Sequence, residues 1–172
     1  MNNKNFIYNI LIFVIYLLLQ VMLFDNMVLF GSIFCFMYIG FILLLPLEFS
    51  AVILVVVGFF SGLAMDVFYN SLGVNAAATL FIAYLRPIWL SAITPRGGYE
   101  EVQIPGLKML GFSWFITYAL PLIFLHHISL FLIEAGDLIN FWFILKKSIF
   151  SSMFTLLILV FGQYLFYNRK QY

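Results

Sequence analysis

Residues 58–87 read GFFSGLAMDVFYNSLGVNAAATLFIAYLRP, and the architecture of the whole chain turns on them. Two apolar runs flank a turn cluster, Asn70-Ser71-Leu72-Gly73, and this pattern predicts a helical hairpin. Asn75 is placed to N-cap a second helix opening at Ala76. Gly58, Gly62 and Asp66 recur every four residues and so share one helix face. The Gly58-x-x-x-Gly62 spacing lets a neighbouring helix approach closely. Ala76, Ala77, Ala78 and Ala83 offer small side chains on the returning helix. Asp66 lies about 6 Å below the turn, and Arg86 about 17 Å down the second helix. That difference in depth excludes a direct ion pair. A carboxylate left unpaired in apolar surroundings is prohibitive, so Asp66 needs other donors. The nearest are the free N–H groups opening the second helix, with Gly73 permitting the tight turn that brings them in. Asp66 is then a lock on a tightly packed hairpin, or alternatively a functional charge. Arg86 is expected to extend to the membrane interface above a kink at Pro87, with a partner or lipid contact as the alternative.

Composition places the hairpin in oil. The chain has 172 residues, 65% hydrophobic, 20% aromatic and 9% charged. Soluble domains carry roughly 25% charged residues, so this chain has too little polar surface for water. A net charge of +1 gives nucleic acid no footprint to grip. The single cysteine, Cys35, has no intramolecular partner for a disulfide and reads as a small apolar-run residue. Residues 6–24 are too long for a signal-peptide core and lack a small-x-small cleavage site, so they are expected to form a retained first span.

Six segments are long enough to cross a bilayer, which takes about 20 mainly apolar residues: 6–24, 28–45, 49–69, 75–93, 110–133 and 140–167. The chain is thus expected to be one all-α membrane domain, 1–172, of six transmembrane helices with short loops. Asp25-Asn26, Pro46 and Glu48 interrupt the apolar runs, and the polar stretch 94–108 must leave the membrane. With the N-terminus in the cytoplasm, Lys4, Arg96, Lys108, Arg169 and Lys170 lie inside and only Lys146 and Lys147 outside. This favours N-in, C-in. A single helix over 140–167 would be about 42 Å long, so residues 139–145 are expected near the outer interface.

The hairpin also carries a family resemblance. Gly62, Asp66, Leu72 and Gly73 resemble the signature of the rod-shape-determining MreD family: glycine, three residues, aspartate, a turn with Leu-Gly, then a small-residue helix. Ser71 stands where that family usually has proline, and Asn75 where it often has histidine. ITPRGGYEEVQIPG (93–106) and HHISLFLIE (126–134) resemble versions from the Bacteroidota branch. The resemblance implies a fold similar to the six-helix substrate-binding components of energy-coupling-factor transporters. It also implies an inner-membrane protein of the cell-wall elongation machinery, with no catalytic activity and no cofactor. MreC would be its direct partner, with MreB and the RodA–PBP2 synthase pair as members of the same complex.

Other polar residues are weighed on their own geometry. His127 and Glu134 share a helix face but lie about 10.5 Å apart along it, and no His-Glu-x-x-His pattern is present, so the adjacent histidines are expected to be hydrogen-bonded rather than metal-bound. Glu134 and Asp137 are expected to pair with Lys146 or Lys147. With Asp25 these form a charged outer rim suited to docking a partner, to which Arg86 could add a contact. Glu100 and Glu101 read as a solvated loop. Ser113, Trp114 and Tyr118 read as packing or interfacial residues, and Pro121 predicts a mid-helix kink. An aspartyl protease is disfavoured, because that chemistry wants two carboxylates in one site and Asp66 is the one acid well inside a span. A small-molecule- or lipid-binding transporter subunit is the competing function. It would require polar groups converging on a cavity between the helices.

Overall fold

In chain order the helices are α1 (Asn3–Leu19) running into a π-helical turn (Gln20–Phe24), α2 (Ile39–Leu43), α3 (Ala51–Tyr69), α4 (Val74–Ala92), α5 (Leu107–Leu110), α6 (Phe112–Ala135) and α7 (Phe141–Leu165). The structure is a computed structural model that describes residues 3–96, 98–99 and 104–165, with side chains from residue 9 onward. Glu100, Glu101, Arg169, Lys170, the end of the last expected span and the Lys4 side chain lie outside the described residues. Among the described residues the fold is all-helical, without strands.

Local sequence sets the boundaries. Ser50 caps α3 by accepting a hydrogen bond from Ile53 N. Asn70, at φ 51°, ends α3 in the left-handed conformation that asparagine tolerates. Gly136, at φ 68°, closes α6 in the same way. The helices pack in sequence, α3 on α4, α4 on α6 and α6 on α7, while α1 leans on α2. The main core lies where α2, α4, α6 and α7 converge, around Ile39, Leu43, Ile82, Phe115, Leu122 and Leu159.

Among the described residues three helices are long and apolar enough to cross a membrane: α3, α6 and α7. Their outward faces are apolar: Val52 and Val67 on α3 are 74% and 75% exposed. Helix α4 is as long as α3 but more polar, because Asn75, Thr79 and Arg86 point inward and are buried.

The second expected segment, 28–45, is not one helix. Only Ile39–Leu43 is helical. Phe30 and Gly31 take positive φ values of 51° and 70°, which reverse the chain. Residues 34–36 then run through the interior outside any helix, and 37–38 turn into α2, whose first N–H groups bond to the Phe36, Met37 and Tyr38 carbonyls. Irregular backbone of this kind survives in an apolar setting only where other groups bond to it, and here side chains meet three of its N–H groups and one carbonyl, as described below. Pro121 lies inside α6. It has no N–H to offer the Thr117 carbonyl four residues back, and the indole of Trp89 on α4 donates to that carbonyl instead, at 3.2 Å.

Candidate functional site: a buried polar axis

Asp66 sits in the last turn of α3 and is 4% exposed. One carboxylate oxygen accepts from Asn75 N at 2.9 Å, Asn75 Nδ2 at 3.1 Å and Ser71 Oγ at 2.5 Å, and the other from Ala76 N at 2.9 Å. The two backbone donors belong to the first turn of α4. Asp66 therefore caps α4 from the neighbouring helix, adding charge-assisted bonds and a favourable position at the positive end of the helix dipole. The cap differs from the sequence expectation by two residues. Gly73, at φ 85°, holds the N-cap position, α4 opens at Val74, and Asn75 bonds to Asp66 rather than capping by itself.

Below the lock the two helices touch through backbone. A Cβ on Gly58 would stand 2.6 Å from Ala83 Cβ. One on Gly62 would overlap Asn75 O and stand 2.6 Å from Ala76 Cα. Hydrogen is thus the largest side chain these positions accept without parting the hairpin.

The irregular segment 34–38 is held by side chains far away in sequence. Phe34 N donates to Ser151 Oγ at 3.0 Å, Phe36 N to Thr155 Oγ1 at 3.1 Å and Tyr38 N to Gln20 Oε1 at 3.2 Å. Gln20 Nε2 returns a bond to the Cys35 carbonyl at 2.9 Å. Alternate N–H groups thus face α7 and the π turn of the first helix, replacing the ladder that the segment lacks.

Tyr38 carries the axis onward. Its hydroxyl donates to Asn75 Oδ1 at 3.1 Å and lies 3.0 Å from Thr79 Oγ1 and 2.8 Å from His126 Nε2. With its one proton directed to Asn75, Tyr38 accepts from His126, which places the His126 proton on Nε2. His126 Nδ1 is then a buried acceptor without a partner among the described residues. His127 has the other tautomer. Its Nδ1 donates to the Ile123 carbonyl at 2.8 Å, and its Nε2, 3.2 Å from Thr155 Oγ1, accepts from that hydroxyl. Hydrogen bonds therefore run from Ser71 and Asp66 through Asn75 and Tyr38 to His126, and from Phe36 through Thr155 to His127.

Arg86 corrects the expectation of reach to an interface. It is 1% exposed. Its Nε donates to Tyr118 Oη at 2.8 Å, and its Nη2 donates to the Leu45 carbonyl and, at 3.5 Å, to the Leu43 carbonyl. Tyr118 itself donates to the Leu43 carbonyl at 2.8 Å. The guanidinium thus binds the carbonyl end of α2, where helices accept cations. Arg86 is bonded to neither Asp66 nor any surface group, and it is not available to a partner.

The rim residues separate. Lys147 pairs with Glu134 at 3.5 Å and lies 3.9 Å from the centre of the Phe131 ring and 4.6 Å from that of Phe34. Asp137 turns back on its own loop and accepts from Ile139 N at 3.0 Å. Lys146 and Asp25 are exposed. Asp25, Glu134 and Lys147 border a cavity of about 220 Å³ whose other walls include Phe34, Phe36, Tyr69 and Asn75.

Sequence reasoning missed Tyr38, Gln20 and the hydroxyl stripe of α7. Ser148, Ser151, Ser152 and Thr155 are all buried. Their three- and four-residue spacing in an apolar run was the readable signal of one inward polar face. Gly40 was also missed: a Cβ there would collide with Leu159 and Tyr16.

Compared with protein-family models, characterised proteins and solved structures, the chain matches none.

Proposed function

We propose that the chain is a non-catalytic inner-membrane scaffold of the MreD kind, which binds MreC within the cell-wall elongation complex and so helps maintain cell shape and peptidoglycan synthesis. Six segments cross the membrane in this reading, N-in and C-in. The second crosses as an irregular stretch followed by α2. Lys108 and Arg96 then lie on the cytoplasmic side, with Lys146 and Lys147 outside.

The observation that carries the reading is the full use of Asp66. Its carboxylate takes four donors, all from the turn and first turn of α4. The residues through which the chain resembles MreD are thus engaged in holding the hairpin, and Arg86 is likewise engaged in holding α2. What remains for function is the outward surface, which suits a protein that works by being bound. Tagged protein solubilised in mild detergent should bring down MreC, with RodA, its PBP2 partner and MreB recovered more weakly. Recovery of none of them counts against the scaffold.

The competing reading, a solute-binding transporter subunit, would place a polar solute in the cavity beside Asp25, Glu134 and Lys147. At about 220 Å³ it falls below the roughly 300–1,000 Å³ of ordinary ligand sites. Its one cation is already neutralised by Glu134. Both facts favour the scaffold.

A further inference from the structure

Helix α1 packs on α2, and helix α7 packs on α6. Between α1 and α7 runs a groove of about 420 Å³, walled by Ile12, Ile15, Leu19, Met37 and Leu159. Its polar residues gather towards the start of α1 and the end of α7: Asn9, Lys108 and Gln163 also line it. Gln163 Oε1 accepts from Leu107 N at 2.9 Å, which sets Gln163 next to the α5 turn that carries Lys108. That bond also fixes the amide, leaving Gln163 Nε2 without an acceptor among the described residues. Lys108 is exposed and has no carboxylate within 4 Å among the described residues. On α1 the groove runs from Asn9 to Leu19, about 15 Å of helix, which is half of the roughly 30 Å hydrocarbon thickness and thus one leaflet.

We propose that this groove holds one acyl chain of an anionic phospholipid from the cytoplasmic leaflet, with Lys108 on its headgroup phosphate. The inference rests on the membrane orientation proposed above but not on the partner. The apolar walls match a hydrocarbon chain, and the polar end lies where a headgroup would sit. The charge is complementary as well. An ammonium with no carboxylate beside it among the described residues favours a lipid with net negative charge over phosphatidylcholine, whose phosphate is already neutralised by its own cation. Gly162 also lines the groove, and a Cβ there makes only an ordinary contact, 3.5 Å from Met37 Cε. A larger side chain at this position fills the groove without driving backbones apart.

The test is native mass spectrometry of the full chain in mild detergent with equal amounts of phosphatidylglycerol and phosphatidylcholine. Wild type should retain one phosphatidylglycerol with a preference of about fivefold, the size expected of one lysine near an anionic headgroup. Lys108→Gln should keep a lipid but lose the preference. Gly162→Leu and, from the opposite wall, Ile15→Trp should each lose the retained lipid of either kind while melting no earlier than wild type without lipid. Equal retention of the two lipids by wild type, or unchanged retention in both filled variants that still fold, would overturn the proposal. Neither result bears on recovery of MreC, so failure here is distinct from failure of the scaffold reading.

Discussion

At the scale of single residues, the two charges in the hairpin do related work at opposite ends of it. Asp66 supplies acceptors to a helix start, and Arg86 supplies donors to a helix end. Each buried donor left without its acceptor costs about 1–3 kcal/mol. Asp66→Leu strands two backbone N–H groups together with the Ser71 hydroxyl proton, while Asn75 Nδ2 keeps only its bond to Ser71 Oγ. It should lower the melting temperature and the amount of protein accumulated. Asp66→Asn keeps one acceptor oxygen and should fall between. If Asp66→Leu melts like wild type in detergent, the lock is not there. Arg86→Met should cost about 1–3 kcal/mol through the Leu45 carbonyl, since Tyr118 still donates to that of Leu43. Arg86→Lys should recover only part of that, since a point charge replaces a fork that bonds Tyr118 and the carbonyls together. Chemical denaturation of the pair measures it, and a fully restored stability in Arg86→Lys contradicts the fork. The Asp66 environment was legible because its donors lie within ten residues, inside one turn. Arg86 was misread because its acceptors are more than forty residues away, at the end of a helix that hydropathy had merged into a longer span.

At the scale of elements, hydropathy located the ends of α3, α4, α6 and α7 to within two residues, apart from the end of the last expected span, which lies outside the described residues. It failed on residues 28–45. An apolar run records only that a segment is buried, and a buried extended strand and a buried helix carry the same mean hydropathy. What sets residues 34–38 apart is the set of acceptors on α7 and the π turn, and no local pattern reveals that pairing. Thr155→Val tests it by removing the acceptor of Phe36 N and the donor to His127. We expect a loss of about 1–3 kcal/mol and faster amide exchange at Phe36; protection equal to wild type would place the segment elsewhere. The glycines give a second test. Gly62→Ala should destabilise by about 1–3 kcal/mol because its Cβ would meet backbone. Gly162→Ala, facing an ordinary contact, should stabilise α7 by up to about 1 kcal/mol. Opposite signs in paired melts are the expected outcome, and a shared sign sinks the distinction between packed and open helix faces.

At the scale of the whole molecule, the polar groups divide into those that hold the fold and those that face outward. Asp66, Asn75, Tyr38, Thr79, Arg86 and the histidines are buried, while Lys146, Glu134 and Asp25 are exposed. Lys146→Glu should therefore leave stability unchanged within about 0.5 kcal/mol. Lys147→Glu should destabilise, because it places a carboxylate on two aromatic faces and opposite Glu134. In the proposed reading the interior is structural and the surface is what is recognised. The decisive measurement is the amount of MreC co-purified per folded chain, compared between wild type and Asp66→Asn. The prediction is the same ratio for both, with a lower yield of folded Asp66→Asn. A folded Asp66→Asn that loses MreC, or a wild type that recovers none, contradicts the claim.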